Sequence, residues 1–288
     1  MMHARGWLIR RIVLYVACVV IAFFFLFPVI WQLATSIKPE RLIPTWPPVW
    51  YSGEVTFENF HQIMFGMASQ GVYYDFFPWL RNSLIVAVFS TLITIFLGSL
   101  AGYSFARFKF KGQRPLFMLA IATIIIPQEI TIVPLYISLT RMGLSNTYFA
   151  LIMPVVANPV SIFLFKQFFD GFPKDLEEAA LIDGYSRFHI YRQLVLPLST
   201  AVILAVAILT FTASWNDMLW PIIITSTKRS ATLPVGIVQH FEMFQGAKVV
   251  LYGNQSAITI LAILPTLIVF ILLQKNFVQG IARTGIKE

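Results

Sequence analysis

Six mostly apolar stretches, each long enough to cross a bilayer, leave this chain of 288 residues almost no choice of fold. A helix needs about 20 such residues to span the hydrocarbon core. The stretches at 12–33, 84–105, 116–139, 148–169, 198–220 and 257–275 each meet that need. In hydrocarbon, backbone N–H and C=O groups must find partners within the protein, which makes such runs helical. Only 12% of the residues are charged, against about 25% in soluble domains, and the mean hydropathy is +0.76. The chain reads as an all-α integral membrane protein, a single membrane domain over 1–288 with six transmembrane helices.

The first run follows Arg10 and Arg11 as a secretory leader would, but it is too long and ends at Pro28 and Trp31 without a small-residue cleavage site. It reads as an uncleaved span. With the N-terminus inside, fourteen of the 21 Lys and Arg residues fall on the cytoplasmic side and seven outside. The short 107–114 loop, with Arg107, Lys109, Lys111 and Arg114, decides the matter, because short loops obey the positive-inside rule best. Both termini are expected in the cytoplasm. The net charge of +8 lies between apolar runs, where it meets anionic lipid, and forms no aromatic-lined stripe for nucleic acid. The lone Cys18 sits in an apolar run and can form no intrachain disulfide.

Long outer loops are expected at 34–81 and 225–256, the second with a flexible polar part at 239–254. Loops of that length bind something or cover a site. On the inside, 170–197 interrupts the spans with an acidic platform. Pro173 ends the fourth span, and Asp175 is placed to cap a helix over 176–183 with Glu178 completing a capping-box pair. Leu176, Ala179 and Ala180 give that helix a shallow apolar face. Glu177 and Glu178 suit the positive end of its dipole. Gly184 suits a left-handed C-terminal cap. Ser186 then caps a second helix through Phe188, Tyr191 and Val195 that ends before Pro197. Such a bent pair either docks a partner or lies on lipid. Its acidic character argues against lipid, where interfacial helices carry Lys and Arg.

Glu178-Ala179-Ala180, Gly184 and Leu194-x-Leu196-Pro197 resemble the signature loop of permease subunits of bacterial and archaeal ATP-binding-cassette importers, with Leu194 standing where Ile is usual. The 32–39 segment after the first span, the 56–60 segment, Arg81-Asn82-Ser83, the 101–107 segment, Trp215-Asn216-Asp217 and the 277–287 tail are similar to maltose-type carbohydrate permeases, nearest the smaller, six-span subunit. The resemblance implies a type I importer fold in the cytoplasmic (inner) membrane. It implies pairing with a second homologous permease, two ABC ATPase subunits below, an extracytoplasmic solute-binding protein above, and a carbohydrate solute. By position, Glu178, Ala179, Ala180 and Gly184, with Asp183 and Tyr185 beside them, become the residues coupled to the ATPase.

Polar residues within apolar runs are costly and mark candidate solute contacts. Gln128 and Glu129 follow Pro127, Asn216 and Asp217 precede Pro221, and Asn158 precedes Pro159. Each lines a vestibule or ties a proline-broken helix end. Catalysis finds no support. His3, His61, His189 and His240 are scattered, no metal-spaced cluster appears, and there is neither a Gly-x-Ser-x-Gly elbow nor a phosphate-binding Gly-x4-Gly-Lys loop. No cofactor is expected in this chain, so ATP and Mg belong to partner ATPase subunits. The competing class is a stand-alone secondary transporter or channel. It would want inverted repeats and buried coupling charges, and would leave the platform unexplained.

Overall fold

Helices account for all the regular structure among the residues described in the computed structural model: 2–50, 53–65, 75–227, 229–246 and 251–284. Three helices suffice singly to cross a membrane: Arg10–Ser36 within α1 (Met2–Ser36), α3 (Phe76–Arg107), and Tyr252–Gln274 within α14 (Tyr252–Thr284). At 1.5 Å per residue, the 32 residues of α3 run to about 48 Å. Three further candidate spans are bent pairs, giving up to six in all.

The third span, one apolar run at 116–139 in the sequence, is broken at Pro127, the proline that the sequence reading offered as a helix break. α4 (Gln113–Ala122) ends in a 3-10 turn, and α5 (Gln128–Arg141) leaves at 98°. Pro127 is the cause. Its ring pushes the preceding residue out of the helical region, and Ile126 sits at φ −77°, ψ 115°. In the fourth span, α6 (Tyr148–Val156) and α7 (Pro159–Asp170) meet at 44° across Ala157-Asn158. The fifth expected span, 198–220, proves to be α11 (Thr200–Asn216), followed after a break by α12 (Leu219–Ile224). The expected second outer loop contains α13 (Leu233–Gly246), a correction to its flexible reading up to residue 246; residues 247–250 lie outside the described set.

The chain divides into two compact units. The first comprises 1–76 and 239–264. In it, α1 ends on a side-chain clamp: the Asn59 amide, from α2 (Glu58–Phe65), donates to the carbonyls of Ser36 at 2.8 Å and Lys38 at 2.9 Å. Glu40 accepts from the backbone N–H groups of Tyr252 (2.7 Å) and Gly253 (2.8 Å), a carboxylate supplied from far along the chain to the N-terminus of α14. Burial raises the Glu40 pKa, and those two hydrogen bonds oppose the rise. Trp50 packs edge-on against Phe27 and Trp31, while Trp46 stands exposed.

The second unit, 77–238 and 265–288, is organised on α3. One apolar cluster gathers Val86 of α3 with Ile132 and Leu139 of α5, Leu151 and Val156 of α6, and Trp220 and Ile224 of α12. The Trp220 indole N–H donates to the Ala150 carbonyl at 2.9 Å. A second cluster, further along α3, joins Tyr103 to Phe165 and Phe169 of α7 and to Val202 and Val206 of α11. The Arg81-Asn82-Ser83 motif is structural here. Asn82 donates to the carbonyls of Arg229 and Ala231 and accepts from the Tyr148 hydroxyl, and Ser83 accepts from the Leu233 N–H. Asn146, not singled out by the sequence, holds φ 62°, and its side-chain oxygen accepts from the N–H groups of Ser226 and Thr227.

α3 approaches α7 through glycines. A Cβ on Gly102 would lie 2.5 Å from Phe165 Cβ and 2.9 Å from the Lys166 backbone nitrogen, and one on Gly98 would strike Ser161. Small residues four apart permit such backbone contact between membrane helices. Gly102→Ala should destabilise the purified protein by about 1–3 kcal/mol through overpacking. Gly171→Ala, whose Cβ would find its nearest neighbour at 3.6 Å, should be nearly silent. Equal melting temperatures for the two variants would disprove this helix contact.

Candidate functional site

The acidic platform folds as an elbow. Its first arm, α8 (Lys174–Ile182), starts two residues earlier than expected. Pro173 occupies the N-cap position and no side chain caps the helix, so the Asp175–Glu178 capping box is not formed. Asp175 and Glu177 instead lie in the first turn, where the helix dipole favours them. The C-terminus is as expected. Gly184 takes φ 84°, the Tyr185 N–H reaches the Ala180 carbonyl at 3.0 Å, and the Gly184 N–H reaches Leu181 at 3.1 Å. That is a Schellman closure, which glycine makes without a Cβ penalty.

The Ser186 hydroxyl accepts from the His189 N–H at 3.3 Å and begins the second arm. This arm runs through α9 (Arg187–Ile190), a π turn at Tyr191–Val195 and α10 (Leu196–Leu198). It was expected to stop before Pro197. The wider turn, closed by the Leu196 N–H on the Tyr191 carbonyl, lets the helix pass the residue whose missing N–H would break an ordinary ladder. The bend comes after Leu198, where α11 departs at 75°.

Both arms are fastened to one stripe of α3. Arg107 Nε donates to Glu177 Oε1 at 2.7 Å, with side chains only 5% and 9% exposed. Arg107 Nη2 donates to the Phe172 carbonyl at 2.8 Å, and the Tyr103 hydroxyl donates to Glu177 Oε2 at 3.2 Å. One turn back, Ser99 and the Tyr191 hydroxyl share a hydrogen bond of 2.7 Å, and the rings of Tyr103 and Tyr191 lie 5.2 Å apart. Ser99, Tyr103 and Arg107 are four residues apart and share a helix face. Removing one member of a buried ion pair costs roughly 3–5 kcal/mol, so this tie resists being half-broken.

The outer side of the elbow is open. Glu178, Ala179, Asp183, Gly184 and Tyr185 are exposed, and Ala180 alone of the predicted set turns partly inward, packing against the second cluster. The expected apolar face of α8 is thus split. Ile182 is 86% exposed and Phe188 64% exposed, flanking Gly184 and Tyr185. The sequence reading named Phe188 only as part of the second helix and passed over Ile182. Their side chains extend the exposed set with apolar area, a signal visible as Ile and Phe beside the motif.

The five candidate solute contacts do not form one cluster. Asn158 N-caps α7, its side-chain oxygen accepting from the N–H groups of Val160 (2.9 Å) and Ser161 (3.4 Å). Asn216 donates back to the Thr212 carbonyl, and Asp217 accepts from the Trp220 N–H. These three tie helix ends. Gln128 and Glu129 begin α5 exposed, with no side-chain hydrogen bond among the described residues, beside exposed Ile125, Ile126 and Ile130. The described residues contain no group of His, Cys, Asp and Glu fit to hold a metal.

Residues 94–283 match the family described as the binding-protein-dependent transport system inner membrane component. The chain belongs to this family. It is 31% identical to the arabinooligosaccharides transport system permease protein AraQ of Bacillus subtilis, with 99% of each chain covered. It is 32% identical to the trehalose/maltose transport system permease protein MalG of Thermococcus litoralis, over 98% of this chain and 99% of that one. The crystal structure of a bacterial ABC transporter that imports the acidic polysaccharide alginate contains a chain with the same fold. The two superpose with a TM-score of 0.81 at 20% identity, over 93% of this chain and 96% of the other. The protein is therefore the multi-pass inner-membrane permease of an ABC importer. Catalysis and nucleotide belong to an ATPase partner, and solute arrives on a binding protein.

Asn158→Ala should cost about 1 kcal/mol of stability, the value of a lost N-cap, and Asn158→Ser should restore most of it. Thermal unfolding of the purified permease reads this out. An unchanged melting temperature would remove the capping role.

Proposed function

We propose that this chain forms half of a carbohydrate translocation pathway, paired with a second homologous permease, and that its elbow is the surface on which one of two ATPase subunits seats. The observation that carries the reading is the exposure of Ile182, Tyr185 and Phe188 around a rigid Gly184 turn, on a segment whose other face is locked to the membrane body. Apolar side chains held out on an acidic inner-face elbow fit a protein cleft better than a lipid surface, which would call for Lys and Arg. Glu178, Ala179, Ala180, Asp183, Gly184 and Tyr185 make the contact, with Ile182 and Phe188 beside them. Both termini lie in the cytoplasm, as the fourteen-to-seven division of basic residues supports. The names of AraQ and MalG support a neutral oligosaccharide as cargo.

Closure of the ATPase dimer on ATP draws the two elbows together, and the differential affinity of ATP for the closed state biases the membrane body between two conformations. Because Arg107, Tyr103 and Ser99 grip both arms, α3 moves with the elbow as well as the directly joined α7 and α11. Gln128 and Glu129 face the solute path. An open helix end at membrane depth is tolerated only inside protein or along a watery cavity, and α5 begins with such an end. The outer segment at 225–256 serves the binding protein. The whole of 1–288 works as one permease domain.

Ile182→Asp should release the ATPase from membranes at least tenfold while the permease still inserts. Gly184→Val should abolish uptake, and Gly184→Asn should keep most of it, since nothing lies within 4 Å of a Cβ there and only the left-handed backbone matters. Full ATPase retention by Ile182→Asp would remove the docking surface. For the grip, Glu177→Gln should weaken ATPase retention, because α8 is then free to roll, and should lower the solute moved per ATP hydrolysed severalfold in the transporter that stays assembled. An unchanged ratio would free α3 from the mechanism.

A further inference from the structure

A recess of about 350 Å³ lies within the first unit, where the end of α1 meets the start of α14. Trp31, Gln32 and Thr35 line it from α1, and Tyr252, Gln255 and Ser256 line it from α14. No Asp, Glu, Lys, Arg or His is among its lining residues. The volume falls in the range of small-ligand sites, roughly 300–1,000 Å³.

The chemistry of the walls is selective. Two aromatic rings offer faces for the C–H side of a pyranose or furanose. Two carboxamides can each donate and accept, and the hydroxyls of Thr35, Ser256 and Tyr252 can do either. The side chains of Gln32 and Gln255 make no hydrogen bond among the described residues. Thr35 supplies the independent observation: it is 5% exposed, and its hydroxyl oxygen is buried with no hydrogen-bond partner. A buried hydroxyl left unpaired costs about 1–3 kcal/mol, so a group that completes it from the recess recovers real free energy. Trp31 is fixed in place, edge-on to Trp50 at 4.7 Å between centroids and with the Lys38 ammonium 4.9 Å from its ring. Glu40, the nearby acid, is committed to the amides of Tyr252 and Gly253. The Lys38 ammonium is likewise committed, donating to the Val49 carbonyl, so two rings, amides and hydroxyls with no uncommitted charge describe a site for a neutral polyhydroxyl ligand.

We propose that this recess is a sugar subsite of the permease, holding one neutral ring of the solute by stacking on Trp31 and Tyr252 and by hydrogen bonds to Gln32, Gln255 and Thr35. The proposal rests on the carbohydrate-import reading and adds a place to it, distinct from Gln128 and Glu129. On the orientation proposed above, α1 ends at the outer face, so the subsite meets solute near the binding protein.

The test uses the complete transporter in lipid nanodiscs without its binding protein, and saturation-transfer NMR with maltose, lactose and arabinotriose as neutral probes and digalacturonate as an acidic one. At least one neutral probe should receive saturation at its ring C–H protons. Gln255→Ala should weaken that signal at least tenfold, and Thr35→Val at least threefold. Thr35→Val keeps shape and loses only the unpaired hydroxyl, so its melting temperature should stay level or rise, an outcome that separates lost ligand contact from lost fold. Undiminished signal in both variants, or a stronger signal from the acidic probe, overturns the subsite. Vesicles that import a neutral probe with ATP and the binding protein, from a transporter giving no saturation transfer, overturn the subsite alone. Vesicles that import none of the neutral probes overturn the sugar reading along with it.

Discussion

A helix that stops within a bilayer exposes N–H and C=O groups that lipid cannot satisfy, and three of the candidate spans among the described residues are bent pairs. Each break is built differently. At Pro159 the Asn158 side chain takes up two N–H groups of the new helix. At the bend after Leu198, beyond the π turn that carries the helix past Pro197, the Ser199 hydroxyl donates to the Val195 carbonyl at 2.6 Å. At Pro127 no side chain caps α5 at all. Asn158 is thus the one side chain that takes up N–H groups of the new helix at these three breaks.

α3 is the member against which those bent pairs are held. Gly98 and Gly102 fall on one row of its surface, and Ser99, Tyr103 and Arg107 fall on the next, one residue or about 100° around. The glycine row admits α7 to backbone contact, while the polar row binds both arms of the elbow. A single helix thus fixes the angle of α7 and the attitude of the elbow together. Widening the glycine row with a methyl group shifts α7, from which the elbow hangs, so packing and docking geometry are not separable here.

The features legible in the sequence are those set within a few residues. The apolar runs fall on helices, singly or as bent pairs, and the Gly184 and Ser186 caps form as read, since each needs partners no more than five residues apart. Asp175 failed as a cap because Pro173 could begin the helix earlier, a choice that local pattern leaves open. The bend at Pro127 was half legible. The proline was noted beside Gln128 and Glu129, but an apolar run conceals a turn that keeps both halves apolar. Glu177 was beyond reach. Its partner lies 70 residues away, and nothing in its immediate neighbourhood distinguishes it from Glu178.

That adjacent pair of glutamates shows how a short motif divides its labour. Neighbours on a helix point about 100° apart, so one cannot face the membrane body without turning the other away. Glu177 is turned inward, where the Arg107 guanidinium and the Tyr103 hydroxyl satisfy it. Glu178 is thereby held outward, next to exposed Ala179 and a turn away from Ile182. Without the inward tie, α8 could roll about its axis at little cost, because Ala179 and Ala180 offer too little side chain to index it. The buried ion pair sets that roll angle. Presentation of the exposed face to any partner is therefore decided on the opposite face, by a contact that the partner never touches.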